Sequence, residues 1–221
     1  MKIVNVELVT SASKDGPRKG VLRDDLSQFA FAGRSNVGKS SLLNALLGQK
    51  VARTSAAAGK TRLASIYRVT AEGGPGGSGA WTTFLVDLPG YGYARGGEES
   101  VQELAAVVDA YFAASQRLRP RFDSTGGPAQ KPRGAVFLLV DSRHPGLAAD
   151  VDAHRRISTM AIPPHIVATK VDKLSQSERT RNLREIERVF GQPPLAVSAA
   201  RGEGLHELWR VMAKLARDVE D

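Results

Sequence analysis

The stretch from Gly33 to Ser40, Gly-Arg-Ser-Asn-Val-Gly-Lys-Ser, has the residue types and spacing of a phosphate-binding loop. A glycine-rich turn that leads into a helix aims backbone N–H groups and the positive end of the helix dipole at one point. A lysine there can reach the outer phosphates of a polyphosphate, and the next hydroxyl can bind Mg²⁺. Lys39 and Ser40 therefore predict a site for a magnesium-bound polyphosphate, although the same pattern also occurs in ordinary glycine turns.

The sequence on either side supplies the two elements that such a loop needs. The apolar run 29–32 precedes the loop and predicts a buried strand. Leucines at helical spacing follow the loop, and a glycine then gives a stop signal: Leu42, Leu43, Leu46, Leu47 and Gly48. This strand–turn–helix context makes phosphate binding the favoured interpretation of the motif.

A carboxylate and a glycine occur in the tetrapeptide Asp87-Leu88-Pro89-Gly90, directly after the strand-like run 84–86. A carboxylate at the end of a strand can hold the shell of Mg²⁺ through water. The N–H of a glycine can approach a terminal phosphate closely because no side chain intervenes. The pattern D-x-x-G is common by itself, and its position at a strand end downstream of the phosphate loop makes it specific here.

A base-reading motif is predicted at Thr169-Lys170-Val171-Asp172, after the apolar run 166–168. A carboxylate only accepts hydrogen bonds, so Asp172 can take both the N1–H and the N2 amino protons of guanine. Adenine offers no such pair of donors and would leave the carboxylate unpaired. The stem of Lys170 can lie across the base, and Thr169 can hold the loop. The alternative interpretation is a surface Lys-x-Asp turn.

Two further sites are assigned from their order in the chain rather than from a distinctive sequence pattern. Ser198 and Ala199 follow the apolar run 195–197, and a backbone N–H at this point would lie near O6 of guanine. Thr61 lies between the phosphate loop and the next strand, where a hydroxyl can bind Mg²⁺ and sense the γ-phosphate. Both residue types are common in ordinary loops, which is the alternative interpretation of each.

Length and composition limit the class of protein. The 221 residues fit one α/β domain with short decorations. The absence of cysteine excludes disulfides, thiolate metal sites and cysteine nucleophiles. We find neither a signal-peptide pattern nor an apolar run of membrane-spanning length, so we expect a cytoplasmic protein without a membrane partner. The net charge of +8 favours a polyanionic partner such as RNA, or else reflects a generic basic surface.

Strand and helix patterns alternate along the chain. Strands are predicted at 66–69, 81–86, 135–140, 165–168 and 195–197, with 2–10 as an extra edge strand, and helices at 101–112, 176–190 and 205–219. This alternation predicts a mostly parallel sheet with helices on both faces. The glycine-rich segment 73–79 predicts an extended hairpin tip, and the basic segment 117–133, which contains prolines, predicts a loop.

Taken together, the motifs resemble those of the EngB (YihA or YsxC) family of bacterial Ras-like GTPases. The resemblance rests on GRSNVGKSSLLNAL at 33–46, GKTR at 59–62, DLPGYGYA at 87–94, TKVDKL at 169–174 and VSA at 197–199. The segment 141–145 together with Asp150 is similar to a further segment of that group. The resemblance implies that 1–221 is a single P-loop NTPase domain of the Ras-like G type, decorated by the 73–79 tip and the 117–133 loop.

What the resemblance implies for function is a GTPase that converts GTP to GDP and phosphate, with Mg²⁺ held by Ser40 and Thr61. It implies a role in large ribosomal subunit assembly, and a requirement for normal cell division and septation. Ribosomal RNA is the expected partner, and we expect a monomer. The residues assigned to nucleotide binding are Gly33, Arg34, Ser35, Asn36, Val37, Gly38, Lys39, Ser40, Ser41, Gly59, Lys60, Thr61, Asp87, Leu88, Pro89, Gly90, Thr169, Lys170, Val171, Asp172, Val197, Ser198 and Ala199. The chain has Ala58 where the family usually has proline, which predicts a more mobile first switch.

No residue is assigned as catalytic. Ras-like enzymes orient the attacking water with a glutamine just after D-x-x-G, and this chain has Tyr91 there. A phenol does not easily replace that glutamine, so we expect Tyr91 to be structural and intrinsic hydrolysis to be slow. A partner or K⁺ would then supply the catalytic function that the glutamine has in Ras-like enzymes. The side-chain oxygen of Asn36 can ligate K⁺ beside the phosphates, as in related K⁺-activated GTPases, or Asn36 merely suits a tight turn.

Two basic stretches are candidates for contact with RNA. One comprises Arg117, Arg119, Arg121, Lys131 and Arg133, and the other comprises Arg181, Arg184 and Arg188. Glutamates interleave with the second set, which is therefore also consistent with an ordinary solvated helix face. Two other functions remain as alternatives: an RNA-binding module with a nearly static nucleotide, and an ATP-dependent kinase, which the Asp172 motif disfavours.

Overall fold

The computed structural model describes residues 2–12, 26–52, 64–73, 79–91, 121–122, 128–130, 134–159 and 164–217. In chain order the strands are β1 (Lys2–Ala12), β2 (Gln28–Gly33), β3 (Ala64–Glu72), β4 (Ala80–Asp87), β5 (Arg121–Phe122), β6 (Pro128–Gln130), β7 (Gly134–Asp141), β8 (His165–Thr169) and β9 (Leu195–Ala196). The α-helices within these ranges are α1 (Lys39–Leu47), α2 (Ala148–Thr159), α3 (Gln176–Phe190) and α4 (Leu205–Arg217), and a short 3-10 helix covers Val171–Lys173.

One seven-stranded sheet, in the order β1-β3-β4-β2-β7-β8-β9, forms the centre of the fold. From β4 through β2, β7 and β8 to β9 each neighbouring pair is parallel, whereas β3 pairs antiparallel with both β4 and β1. The prediction of a mostly parallel sheet is therefore confirmed. Because parallel strands end at the same edge of a sheet, the carboxyl ends of β4, β2, β7 and β8 meet where ligands bind in open α/β folds.

Both faces of the sheet are covered by helices, as predicted. Successive side chains of a strand point to opposite faces. In β2, Ala30 and Ala32 belong to a buried cluster that includes residues of α2 and α3. Phe29 and Phe31 belong to a second cluster, which includes residues of α1 and α4. The small residues of β2 thus face one helix pair, and its phenylalanines face the other.

Helix α3 has the predicted bounds, and local sequence explains both of its ends. The Ser175 side chain accepts a hydrogen bond from the Glu178 N–H, while the Glu178 carboxylate accepts one from the Ser175 N–H. This reciprocal capping box satisfies two N–H groups that a helix leaves without partners. Gly191 ends the helix with a φ of 73°, in the left-handed region that glycine adopts readily.

Strand β1 lies at the edge of the described sheet, which confirms the predicted edge strand. Its pairing with β3 shifts register twice, between Ile3 and Asn5 and between Leu8 and Thr10. Val4 and Leu8 are more than half exposed, at 55% and 58%. These features show that β1 extends the β3–β4 hairpin without burying all of its apolar side chains.

Three points of the sequence prediction need correction, and three other predicted segments lie wholly or partly outside the described residues. Helix α2 was not predicted, because the buried Asp150 interrupts its apolar pattern. The prediction that 117–133 is a loop is wrong at β5 and β6, which pair antiparallel. Strand β9 ends at Ala196, one residue earlier than predicted. The predicted helix 101–112, most of the hairpin tip and residues 218–219 lie outside the described ranges.

We expect Gly204→Ala to lower the free energy of unfolding by roughly 2–4 kcal/mol, because the added Cβ meets both strain and collision. Gly204 has a φ of 74°, and a Cβ there would lie 2.1 Å from the Ala196 carbonyl oxygen in β9. Gly202 is the matched control, since it has a φ of 70° and an added Cβ there would meet no atom within 4 Å beyond its neighbours along the chain. Gly202→Ala should cost only about 1 kcal/mol. Urea unfolding of both variants measures the difference, and equal losses would show that the collision is relieved.

Candidate functional site

The predicted phosphate loop connects β2 to α1 through a tight turn. Asn36 and Gly38 both have left-handed backbones, with φ of 65° and 108°. A Cβ on Gly33 would lie 2.8 Å from Val37 Cγ1, so the start of the loop has no room for a side chain. The loop therefore has the close turn that allows backbone N–H groups to surround an anion.

The lysine of this loop lies beside the carboxylate of the D-x-x-G motif. Lys39 is the first residue of α1, and its ammonium group forms an ion pair with Asp87, the last residue of β4. Phe31 of β2 is the register neighbour of Asp87, which explains how the two motifs meet. Ser40 follows as the second residue of α1 and is half-buried.

Gly90 and Tyr91 lie against the beginning of the phosphate loop. The Ser35 N–H donates to the Tyr91 carbonyl at 2.8 Å, and the Tyr91 N–H donates to the Gly33 carbonyl at 3.3 Å. A Cβ on Gly90 would lie between 3.1 and 3.3 Å from atoms of Ser35. The tetrapeptide after β4 is thus in contact with the loop after β2, as the sequence order led us to expect.

The predicted base-reading motif is joined to the phosphate loop by two side chains. The Thr169 hydroxyl donates to the Val37 carbonyl at 2.7 Å. Lys170 has a left-handed backbone, and its ammonium group donates to the Asn36 carbonyl at 2.7 Å. The same group pairs with Asp141 at 2.9 Å. These contacts bring the predicted base-reading motif and the predicted phosphate loop into one site.

The carboxylate of the predicted base-reading motif, Asp172, contacts the loop after β9. The Ser198 hydroxyl donates to Asp172 at 2.7 Å and accepts from the Arg201 N–H at 3.1 Å. The hydrogen bond from Ser198 lowers the pKa of Asp172 below its ordinary value, so this carboxylate is an acceptor at neutral pH. The Ser198 N–H donates to the Glu203 carbonyl at 3.0 Å, which leaves the Ala199 N–H as the candidate for contact with O6.

Asp141 is a member of the site to which sequence reasoning gave no role. It is the last residue of β7, and it accepts hydrogen bonds from the Arg143 guanidinium at 2.7 Å and from Lys170. Burial raises the pKa of Asp141, but the hydrogen bonds from Arg143 and Lys170 outweigh it and hold the pKa well below its ordinary value. Its position at the end of a parallel strand was the signal that could have identified it.

Several predicted site residues are not part of these contacts. Gly59, Lys60 and Thr61 lie outside the described residues, as do Arg117, Arg119, Lys131 and Arg133. The backbone of Arg121 is in β5. The other basic set, Arg181, Arg184 and Arg188, lines an open groove on α3 together with Pro145 and Glu185. Within that groove Arg188 pairs with Glu185 at 2.6 Å.

The side-chain oxygens beside the phosphate loop suit Mg²⁺, which prefers carboxylate, hydroxyl and phosphate oxygens as ligands. Asp87 is 7% exposed and carries its negative charge beside Lys39 and α1. Ser40 supplies a hydroxyl in the first turn of the same helix. Asp87 and Ser40 therefore fit a magnesium ion bound together with a polyphosphate.

Comparison with known proteins identifies the family. A family model described as 50S ribosome-binding GTPase matches residues 28–170. The probable GTP-binding protein EngB of Pelotomaculum thermopropionicum is 36% identical over 219 residues, which cover 97% of this chain and 96% of that protein. The chain belongs to the EngB family of GTP-binding proteins. The EngB protein of Thermotoga maritima is 35% identical over 222 residues, covering 99% of this chain and all of that protein.

Solved structures agree with an EngB-type G domain at the level of fold. A crystal structure of a probable GTP-binding protein engB has a TM-score of 0.60 at 21% identity and covers 87% of this chain and 100% of that chain. Era in complex with MgGDPNP and nucleotides of 16S ribosomal RNA has a TM-score of 0.61 at 23% identity, covering 86% of this chain and 56% of that chain. The fold is that of a P-loop GTPase. In the described residues, every helix is too short or too polar to traverse a bilayer.

We expect Asp141→Asn to destabilise the protein at neutral pH and to lose this effect in acid. A carboxylate whose folded pKa is lowered stabilises the fold above its unfolded pKa of about 4, and this stabilisation disappears as the pH falls through the folded pKa. Urea unfolding from pH 7 down to acid should therefore show the difference between wild type and variant shrinking below about pH 4.

Asp152 provides the matched control for this measurement. Its pair with Arg155, at 3.1 Å, is exposed at both ends, so Asp152→Asn should change stability little at any pH. A stability difference for Asp141→Asn that stayed constant into acid would contradict the assigned cause.

Proposed function

We propose that this protein is a slow GTPase that times a step in large ribosomal subunit assembly in the cytoplasm. Normal cell division and septation would depend on it through that role. The nucleotide part of the proposal is supported by one observation above all: Lys170 of the guanine motif donates to a carbonyl of the phosphate loop. The ribosomal part is supported by the description of the matching family as 50S ribosome-binding GTPase and by the net charge of +8.

In this proposal the whole chain, 1–221, is a single G domain and each motif has one task. Lys39 and the loop N–H groups bind the β- and γ-phosphates, and Asp172 reads the N1–H and N2 protons of guanine. The Ala199 N–H approaches O6. Ser40 and Thr61 hold Mg²⁺, with Asp87 acting through water. The magnesium ion, when bound, neutralises charge that develops on the phosphates.

Slow hydrolysis in the absence of a partner follows from the residue after D-x-x-G. The Tyr91 hydroxyl donates to Asp150 at 3.0 Å, so its polar end is engaged inside the protein. Burial raises the pKa of Tyr91 far above its ordinary value, so the phenol has no base function at neutral pH. We propose that the ribosome or K⁺ completes the site, with the Asn36 side chain as the K⁺ ligand.

The partner surfaces and the competing function follow from the same residues. We propose a monomer that contacts ribosomal RNA through the basic 117–133 segment, with the α3 groove as a second candidate. Arg181 and Arg184 provide its charge, while Glu185 offsets that of Arg188. The alternative is an RNA-binding module whose nucleotide is nearly static. An ATP-dependent function is disfavoured because adenine offers Asp172 no adjacent pair of N–H donors, unlike guanine.

We expect Asp172→Asn to weaken GDP binding by about 100-fold, because a charge-assisted pair of hydrogen bonds is replaced by a mismatched amide. The amide can donate to the O2 carbonyl that xanthine has in place of the amino group, so binding of xanthosine diphosphate should increase. Titration with fluorescent diphosphates measures both, with Asp152→Asn as the exposed control. Unchanged preference for GDP over ADP in Asp172→Asn would contradict the guanine assignment.

Single-turnover GTP hydrolysis, measured with and without purified large ribosomal subunits, tests the proposed switch. We expect subunits to accelerate hydrolysis and to bind the GTP form more tightly than the GDP form. Parallel reactions in potassium and sodium buffers test the role of Asn36. Equal rates in the two salts would exclude the K⁺ proposal, and the absence of any subunit effect would favour the static RNA-binding module.

A further inference from the structure

Two side chains from separate segments converge on one buried carboxylate. The Arg34 guanidinium donates to both oxygens of Asp150, at 2.9 and 3.1 Å. The Tyr91 hydroxyl donates to the same carboxylate at 3.0 Å. Asp150 is only 1% exposed. A carboxylate so far from water must keep its partners, since an unpaired buried charge costs several kcal/mol.

The two donors are themselves neighbours through their backbones. Arg34 and Tyr91 form an isolated parallel β-bridge between the phosphate loop and the residue after Gly90. The bridge consists of the hydrogen bonds from Ser35 to Tyr91 and from Tyr91 to Gly33. One carboxylate thus clamps the side chains of the two residues whose backbones already pair. We call Arg34, Tyr91 and Asp150 the clamp.

The carboxylate is fixed from helix α2. Asp150 lies in the first turn of that helix, where the positive end of the helix dipole favours a negative charge. Burial raises the pKa of Asp150, while the nearby Arg34 charge and the Tyr91 hydrogen bond oppose this effect. The clamp therefore ties α2 to both strand ends at the phosphate side of the site.

Gly90 directly precedes Tyr91 of the clamp and lies against the phosphate loop. A Cβ on Gly90 would lie 3.1 Å from Ser35 Oγ and 3.2 Å from Ser35 N, so this glycine is held directly against the phosphate loop. The sequence predicts that the Gly90 N–H approaches the terminal phosphate, which is the γ-phosphate when GTP is bound. GDP has no γ-phosphate and makes no such contact, so an error in the position of Gly90 affects GTP alone.

We infer that Asp150 and Tyr91 are positioning residues that set the preference of this protein for GTP over GDP. They act by holding the bridge between Tyr91 and the phosphate loop, and through it the Gly90 N–H. The inference rests on the proposed function, because it requires that the site bind guanine nucleotides. It adds a determinant of nucleotide-state preference that lies in α2, outside the nucleotide motifs.

The experiment compares affinities for GDP and for a non-hydrolysable GTP analogue in wild type, Tyr91→Phe and Asp150→Asn. Tyr91→Phe removes one oxygen and leaves the ion pair of Arg34 and Asp150 intact. It should weaken the triphosphate analogue about tenfold while GDP affinity stays within about twofold. Asp150→Asn keeps an acceptor for Tyr91 but removes the charge facing Arg34, and it should shift the ratio of the two affinities in the same direction.

Tyr67→Phe is the matched control. Tyr67 is a buried phenol in β3 whose hydroxyl donates to the Val51 carbonyl at 3.3 Å, in the cluster that contains α1 and α4. Its affinities for both nucleotides should equal those of wild type. Melting temperatures of all variants separate stability from nucleotide preference, because loss of packing alone lowers the melting temperature without changing the ratio of the two affinities.

The outcomes are distinct. A selective loss of triphosphate affinity in Tyr91→Phe, absent from Tyr67→Phe, supports the clamp. If the wild-type protein binds both nucleotides and Tyr91→Phe has the same ratio of triphosphate to diphosphate affinity, the clamp is overturned and the proposed function still stands. Failure of the wild-type protein to bind either nucleotide overturns the proposed function and the clamp together. If Asp150→Asn does not fold, Tyr91→Phe decides the result.

Discussion

The hydrogen bonds that the phosphate loop accepts from Thr169 and Lys170 are the constraint on which the site depends. The carbonyls of Val37 and Asn36 lie in a tight turn outside the strand and the helix, so their hydrogen-bond partners come from elsewhere. Side chains at the end of β8 provide them. The phosphate loop and the segment predicted to read the base are thereby held next to each other.

The opposite side of the phosphate loop is held by a different set of hydrogen bonds. Backbone bonds between Tyr91 and the first residues of the loop join the end of β4 to the end of β2, and Asp150 reinforces them from helix α2. The loop is therefore flanked by the segment predicted to read the base and by the D-x-x-G segment. Both depend on the parallel arrangement of β4, β2, β7 and β8, which brings the strand ends to one edge.

How far the sequence predicts this molecule depends on whether the signals are local. Both ends of helix α3 were predictable because their signals are local. Ser175 and Glu178 define its start, and Gly191 defines its end. The parallel sheet followed from alternating strand and helix patterns. Helix α2 was missed because Asp150, a charged residue, occupies a buried position where a helix pattern requires an apolar one.

The same difference between local and long-range signals applies to the site. The motifs and their order indicated which strand ends would meet. The pairing of Asp141 with Lys170 and that of Asp150 with Arg34 could not be predicted, because the partners are 29 and 116 positions apart. The sequence alone does not indicate which basic side chain pairs with a given carboxylate, because that depends on the order of the strands in the sheet. Long-range pairing of charges is therefore the part of this site that only the structure reveals.

The irregular pairing of β1 has a consequence for the behaviour of the protein in solution. A flat edge strand with exposed apolar side chains such as Val4 and Leu8 is a template on which other chains can aggregate. The two register shifts bend and twist the strand locally, and Lys2, Asn5 and Glu7 place polar or charged groups between the apolar ones. Straightening β1 by removing a shift would expose a regular edge and favour self-association through intermolecular strand pairing.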